Sequence, residues 1–285
     1  MKRTDFANKR PRCHQHGHAS RWWLVSWLWL LILPSLVMAE AQPKKLVVGY
    51  ALWPPFTLED ERGQLSGVDI EILTQALADY DYSIEFQKLP FTRRLQGLSA
   101  GTVDVVNSAT LTSDRAAYAY FSEPYYSEKY QLYVRPEDHA KFANKSLNEL
   151  LDQGFQIGIE RGSSYDDSFN TILANSDYRA QIHAVPSMQQ NYRKLLSNRI
   201  DGFIHESSSF TYQQAMNHNT MDVVPLLSSD EVYQHFMFSK ISTNEQLLRD
   251  FNEGLKKLRE SGEYTKIFQR HAAEPWMLSP PGKNP

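Results

Sequence analysis

The stretch GTVDVVNSATLTSDRAAYAYFSEPYY, Gly101 to Tyr126, decides how the chain is read. Val103 to Val106 has the length and apolar character of a strand, and it runs into small polar residues, Asn107, Ser108, Thr110 and Thr112. A helix is expected next, with Thr112 as its N-cap. Arg115 then falls in the first helical turn, where a cation opposes the helix dipole and Asp or Glu is preferred. Asp114 offsets part of that cost. Two readings remain open at this point. One is an anion held between the guanidinium, the hydroxyls and the N–H groups of the helix start. The other is a surface arginine, alone or paired with Asp114.

Working outward, strands and helices alternate. Lys45 to Gly49 is a short apolar strand, broken by Trp53-Pro54-Pro55-Phe56. Val68, Ile72, Leu73, Ala76, Leu77 and Tyr80 have the spacing of an amphipathic helix. A strand over Tyr82–Phe86 and a helix over Thr92–Ala100, closed by Gly101, lead into the central stretch. Beyond it, Gln131–Val134 reads as a strand and Arg135-Pro136-Glu137 as an interruption. A second series follows: helix Leu147–Leu151, strand Phe155–Ile159, helix Tyr165–Ala174, strand Gln181–Val185, helix Met188–Leu196, strand Ile200–Ile204 and helix Ser208–Asn217. Strands at Met221–Val224 and Tyr233–Phe238 and two closing helices over Asn244–His271 complete the pattern. This order predicts two α/β lobes, each a mostly parallel sheet flanked by helices, with crossovers near Pro136 and Pro225–Glu231.

The N-terminus has a different character. Lys2, Arg3, Lys9, Arg10, Arg12 and Arg21 precede Trp22–Leu33, which is apolar apart from Ser26, and Val37-Met38-Ala39 follows. Residues 1–39 are expected to be a signal peptide cleaved after Ala39. The alternative, a membrane anchor, needs ~20 apolar residues, and the run to Val37 is shorter and contains Pro34. The single cysteine, Cys13, lies in this leader, as do His14, His16 and His18, so neither thiol chemistry nor a metal site is expected in the mature chain. Removing the leader lowers the basic count from 30 to 24 and the acidic count from 33 to 32, a net charge of −8. That balance argues against nucleic-acid binding and against attraction to an anionic membrane. Export without disulfides points to a bacterial periplasm.

Five ordered pieces now carry a resemblance. They are GYALWPPF (Gly49–Phe56), GVDI (Gly67–Ile70), GTVDVV (Gly101–Val106), TLTSDR with the later FSEPYY, and NRIDGFIHE (Asn198–Glu206); the ending LKKLRESGEYTKIF agrees with them. Over Lys44 to His271 the chain resembles the bacterial extracellular solute-binding proteins of family 3, the polar amino-acid type. The resemblance implies a periplasmic binding protein fold of type II, two lobes joined by two crossover strands with the ligand closed between them. Lobe 1 would take 44–134 and 232–273, lobe 2 135–231, and 274–285 would be a disordered tail.

The resemblance also implies roles. Arg115 lies where the family's carboxylate-binding arginine lies, and a guanidinium matches a carboxylate as a fork. Ser108 and Thr110, with Asn107, fall on the strand end that lines the same pocket; capping and turn formation are their alternative. Trp53 is expected as a pocket wall, with Phe91, Tyr50 and Arg93 as weaker candidates. Ser163 and Ser164, in the turn Arg161-Gly162-Ser163-Ser164, would bind the same carboxylate or simply cap a helix. Glu206 stands where the family usually has an Asp bonded to the ligand's α-amine. Ala51 and Leu52 stand where some members carry an acid. Both departures weigh against a basic amino acid. Alternation along the strand directs His205 away from Glu206.

The expected function is capture of a small carboxylate-bearing ligand, an amino acid, for an ABC transporter's membrane subunits, by a monomer without cofactor or catalysis. Two alternatives are kept: a periplasmic cyclohexadienyl-type dehydratase with Glu206 as general acid, and a ligand-sensing module acting through a partner. The leader reading predicts that exported protein begins at Glu40, which N-terminal sequencing of periplasmic material tests; retention of Trp22–Leu33 in a membrane fraction would contradict it.

Overall fold

Short apolar segments separated by polar turns leave each lobe one way to bury its faces, a sheet covered by helices. A computed structural model describes residues 43–216 and 221–271. The leader read over 1–39 and the tail read over 274–285 lie outside the described residues.

The strands are β1 (Lys44–Tyr50), β2 (Leu58–Glu59), β3 (Leu65–Ser66), β4 (Tyr82–Lys88), β5 (Val105–Thr110), β6 (Ala119–Phe121), β7 (Tyr126–Val134), β8 (Ile157–Glu160), β9 (Ile182–Val185), β10 (Gly202–Glu206) and β11 (Val224–Ser239). The helices are α1 (Val68–Ala76), α2 (Phe91–Ala100), α3 (Ser113–Tyr118), α4 (His139–Phe142), α5 (Leu147–Asp152), α6 (Asp167–Leu173), α7 (Met188–Leu196), α8 (Ser207–Met216), α9 (Glu245–Glu260) and α10 (Glu263–Arg270), with 3-10 turns at Pro136–Asp138 and Ser176–Tyr178. Among the described residues no helix is long and apolar enough to cross a membrane.

One sheet runs through both lobes in the order β4-β1-β5-β11-β7-β10-β8-β9, with β6 also paired to β11. The outer pairs β1–β4, β1–β5, β8–β10 and β8–β9 are parallel. The central pairs β5–β11, β7–β11 and β7–β10 are antiparallel. The crossovers are therefore the long strands β7 and β11, paired from Val134↔Val224 to Tyr126↔Gln234. The two separate strands expected around Pro225 are one continuous strand. Proline lacks the ladder N–H, and the ladder absorbs this with a register shift between Pro225 and Leu227; a second shift lies between Ser228 and Glu231.

The core divides with the lobes. Leu46, Val48, Phe56, Ile72, Tyr125, Phe236 and Phe251 pack in one cluster, and Leu132, Val134, Leu150, Leu151, Ile157 and Ile204 in another. Tyr133, Leu195 and Phe203 form a third cluster, which alternation along β7 and β10 sets apart from Leu132 and Ile204. Tyr130 packs with Leu132 and Val134 in the second of these clusters.

The closing helix α9 buries Leu247, Phe251, Gly254, Leu255 and Leu258, a helical stripe, after Asn244 caps it by accepting the Leu247 N–H at 3.1 Å. It packs on α1 so closely that a Cβ on Gly254 would sit 1.8 Å from the Ala76 carbonyl oxygen. Gly254→Ala is expected to push the helices apart and to cost about 1–3 kcal/mol of stability as an overpacked core does; urea unfolding of the variant and the wild type measures it.

Candidate functional site

The ends of β5, β8 and β10 meet the loop after β1 around a single cavity. From the first lobe Ala51 and Trp53, Phe91 and Arg94 of α2, Asn107, Ser108 and Thr110 of β5, and Arg115 of α3 line it. From the other side come Tyr130 of β7, Glu160 at the end of β8, Ser163 and Ser164 in the next turn, and Glu206 at the end of β10. These are strand C-termini, where open α/β sheets place ligands. Centres of water-sized molecules have about 40 Å³ in this space, room for a few waters.

All eight residues singled out in sequence, Asn107, Ser108, Thr110, Arg115, Trp53, Ser163, Ser164 and Glu206, line this cavity. Arg115 is 6% exposed. Its guanidinium donates to the Thr110 carbonyl and, across the cleft, to the Gly162 carbonyl, each at 2.8 Å, and lies 5.4 Å from the Phe91 ring centroid. Burial lowers its pKa, and only Tyr118 and Tyr130 oppose that shift; among the described residues no carboxylate forms an ion pair with it. The pairing with Asp114 is thus not what the structure shows. The helix start is not part of the cavity either. Thr112 caps α3 by accepting the Arg115 N–H at 3.3 Å, and with Ser113 it borders a separate surface groove.

Asn107 and Ser108 line the cavity, but the Asn107 amide NH₂ and the Ser108 hydroxyl are spent behind it. Asp69, from the start of α1, accepts from Asn107, from the Ser108 hydroxyl at 2.7 Å and from the Tyr125 hydroxyl at 2.5 Å. Ser108 adopts a left-handed φ of 49°, held by this network. Thr110 donates across the cleft to the Ser164 carbonyl at 3.3 Å. Ser163 and Ser164 are not helix caps: Asp166 caps α6, accepting the Phe169 N–H at 2.8 Å.

Glu206 is 5% exposed. Its Oε2 accepts the Trp53 indole N–H at 2.5 Å, and its Oε1 accepts the Tyr130 hydroxyl at 3.0 Å. Burial and the neighbouring Glu128 raise its pKa, and the bonds from Trp53 and Tyr130 lower it. Glu128 lies in β7 and accepts from the Lys129 N–H at 2.8 Å, the Ser207 hydroxyl at 3.0 Å and both the N–H and hydroxyl of Ser208. Burial raises its pKa against those four bonds. His205 does not line the cavity. Its ring packs edge-on against Trp53 at 5.1 Å, and burial pushes its pKa down to about 3, so it is neutral.

Sequence reasoning missed Arg94, Glu160 and Tyr130 and weighed Arg93 and Tyr50 instead. Arg93 projects to solvent and donates to Gln96; Tyr50 packs on Phe86 away from the cavity. The signal for Arg94 was present. Phe91, Arg94 and Leu98 follow the i, i+3, i+7 spacing of one helix face, and Phe91 and Leu98 are apolar. Arg94 is 6% exposed, donates to the Asn107 side chain at 3.2 Å and stacks 4.8 Å from the Phe91 ring centroid. Burial pushes its pKa down to about 10 and that of Glu160 up to about 7, with each charge countering the other's shift. Among the described residues no group of three or more His, Cys, Asp or Glu side chains is placed to hold a metal ion.

The family described as bacterial extracellular solute-binding proteins, family 3, matches residues 46–274. This chain belongs to it. Among relatives of this solute-binding protein, the "Probable histidine-binding protein" of Neisseria gonorrhoeae is 27% identical over 239 residues, covering 82% of this chain and 85% of that one. The "Arginine-binding periplasmic protein" of Mannheimia haemolytica is 24% identical over 244 residues, covering 85% and 96%. Among solved structures, an ancestral arginine-binding protein bound to arginine superposes with a TM-score of 0.67 at 25% identity, covering 80% of this chain and 98% of that one. A histidine kinase sensor domain similar to periplasmic binding proteins superposes at 0.68 with 21% identity, covering 80% and 96%, and shows the shared fold.

Glu128 gives a test of the buried charge. Its folded-state pKa is raised above the ordinary 4.5, so its contribution is fully present below that value and is lost as pH rises through the folded value. Glu128→Gln should therefore gain on the wild type by more than ~1 kcal/mol between pH 4 and pH 8 in urea unfolding. A gap independent of pH would show that the carboxyl titrates normally.

Proposed function

We propose that this solute-binding protein captures a free α-amino acid between its lobes in the periplasm and delivers it to the membrane subunits of an ABC transporter, as a monomer and without catalysis. One observation carries the reading: a buried guanidinium that has no acidic partner among the described residues and a buried carboxylate line one cavity from opposite lobes. An α-carboxylate supplies the missing anion at Arg115, as a fork rather than a point contact. An α-ammonium supplies Glu206 with a cation, which favours its ionised form. The relatives named for histidine and for arginine support the amino-acid class.

Trp53 and Tyr130 already donate to Glu206, so the ammonium must use the remaining lone pairs of that carboxylate or displace the indole. Gly162 supports the same closure. Its φ of 88° is a glycine conformation, and an added Cβ would approach Thr92 of the first lobe to 3.1 Å.

A second reading has one observation in its favour. The raised pKa of Glu206 suits a general acid, and a structural neighbour at 20% identity is an ancestral amino acid-binding protein described as a precursor of cyclohexadienyl dehydratase. Prephenate or arogenate turnover by the wild type, lost in Glu206→Gln, would establish that reading in place of transport.

Arg115→Ala is expected to cost about 2–5 kcal/mol of ligand affinity, because a desolvated carboxylate loses its partner; Arg115→Lys should recover only part. Glu206→Gln should weaken an amino acid far more than its deaminated analogue. Calorimetry with an amino-acid panel reads both, and an Arg115→Ala affinity within about threefold of wild type would sink the anion site.

A further inference from the structure

We propose that Arg94 and Glu160 form a second recognition pair in the cleft, which selects an amino acid whose side chain ends in a neutral group with both a hydrogen-bond donor and an acceptor, an amide or an imidazole. This rests on the amino-acid reading above, in which Arg115 and Glu206 take the head group.

Four observations converge. Arg94 comes from one lobe and Glu160 from the other, and both line the same cavity as Arg115 and Glu206. Each also carries a buried polar atom without a hydrogen-bond partner, Nε of Arg94 and Oε2 of Glu160. Among the described residues the two side chains form no ion pair, yet each charge counters the shift that burial imposes on the other, with Asp69 behind Arg94 adding to the effect of Glu160. Finally, Phe91 ties the two ends of the cavity together. The Arg94 guanidinium lies 4.8 Å and that of Arg115 5.4 Å from the same ring centroid, which sets both cations beside one aromatic wall of the cavity.

The chemistry of the pair limits what satisfies it. A guanidinium only donates and a carboxylate only accepts. A group between them must accept from Arg94 and donate to Glu160. An amide does this with its carbonyl and NH₂, and a neutral imidazole with its two nitrogens. An ammonium or guanidinium end satisfies Glu160 but sets a second cation against Arg94. A carboxylate end satisfies Arg94 but meets Glu160. An alkyl end leaves the Glu160 charge desolvated and the Arg94 guanidinium with only Asn107 and the field of Asp69 beside it, the kind of mismatch that polar sites reject strongly. Rejection of cationic and anionic side chains thus follows from repulsion built into the pair.

Calorimetry at pH 8, above the value of about 7 to which burial raises Glu160, with glutamine, histidine, arginine, lysine, glutamate and methionine as probes tests this. Glutamine or histidine should bind the wild type at least tenfold more tightly than the other four. Glu160→Gln removes the repulsion against an anionic side chain, so glutamate should gain at least tenfold, a gain that misfolding cannot mimic. Arg94→Met should raise arginine relative to glutamine by a similar factor, and it serves if Glu160→Gln does not fold. Tightest wild-type binding of arginine or lysine, or unchanged glutamate-to-glutamine and arginine-to-glutamine ratios in the variants, would overturn the pair while leaving Arg115 and Glu206 standing. Absence of binding to every probe, or indifference of all affinities to Arg115→Ala, would overturn the amino-acid reading and this inference with it.

Discussion

The pairing of β7 with β11 is the constraint on which both lobes depend, because each strand belongs to the first lobe at one end and to the second at the other. An antiparallel ribbon resists stretching but twists easily where its ladder is interrupted. The interruption here falls between Ser228 and Glu231, opposite Lys129 and Gln131. Side chains repair it: the Ser229 hydroxyl accepts the Tyr130 N–H at 2.9 Å, and the Ser127 hydroxyl donates to Glu231. The lobes are thus joined at a place where backbone pairing is weakest and local side-chain bonding is strongest, which suits rotation without separation.

Charge is concentrated around that ribbon. Glu128 sits in the ribbon itself, where burial raises its pKa, and its charge adds to the burial that raises Glu206. Glu160 adds a third acid on the second-lobe side, while Arg94 and Arg115 bring the cations from the first. Buried charges of opposite sign on two moving bodies attract only when water is excluded between them. Closing the lobes therefore both creates the binding field and depends on a ligand to satisfy it. Direct bridges from Trp53 to Glu206, Thr110 to Ser164 and Arg115 to Gly162 are the contacts that any ligand has to share or replace.

Much of this was legible in the chain. The alternation of strand and helix fixed the α/β class, and the polar run after Val106 located the strand end that holds Asn107, Ser108 and Thr110. Arg115 stood out because a cation at a helix start has no local reason to be there. What stayed hidden depended on facing across the chain. Arg94 was concealed by Arg93 beside it, since only rotation about α2 distinguishes an inward from an outward arginine. Tyr130 looked like a lobe 1 residue because nothing local marks where a continuous strand changes core. Asp69, read as part of a helix start, holds the Asn107–Ser108 turn from behind, a contact between residues far apart in sequence.

Trp53 is the one tryptophan among the described residues, and its indole N–H bridges the lobes to Glu206 while its ring packs on His205. Indole emission is sensitive to a nearby carboxylate and to the polarity around the ring. The protein therefore carries its own optical reporter at the seam of the cleft. A change in the distance between lobes alters the surroundings of that chromophore directly, so opening and occupancy become visible without any label.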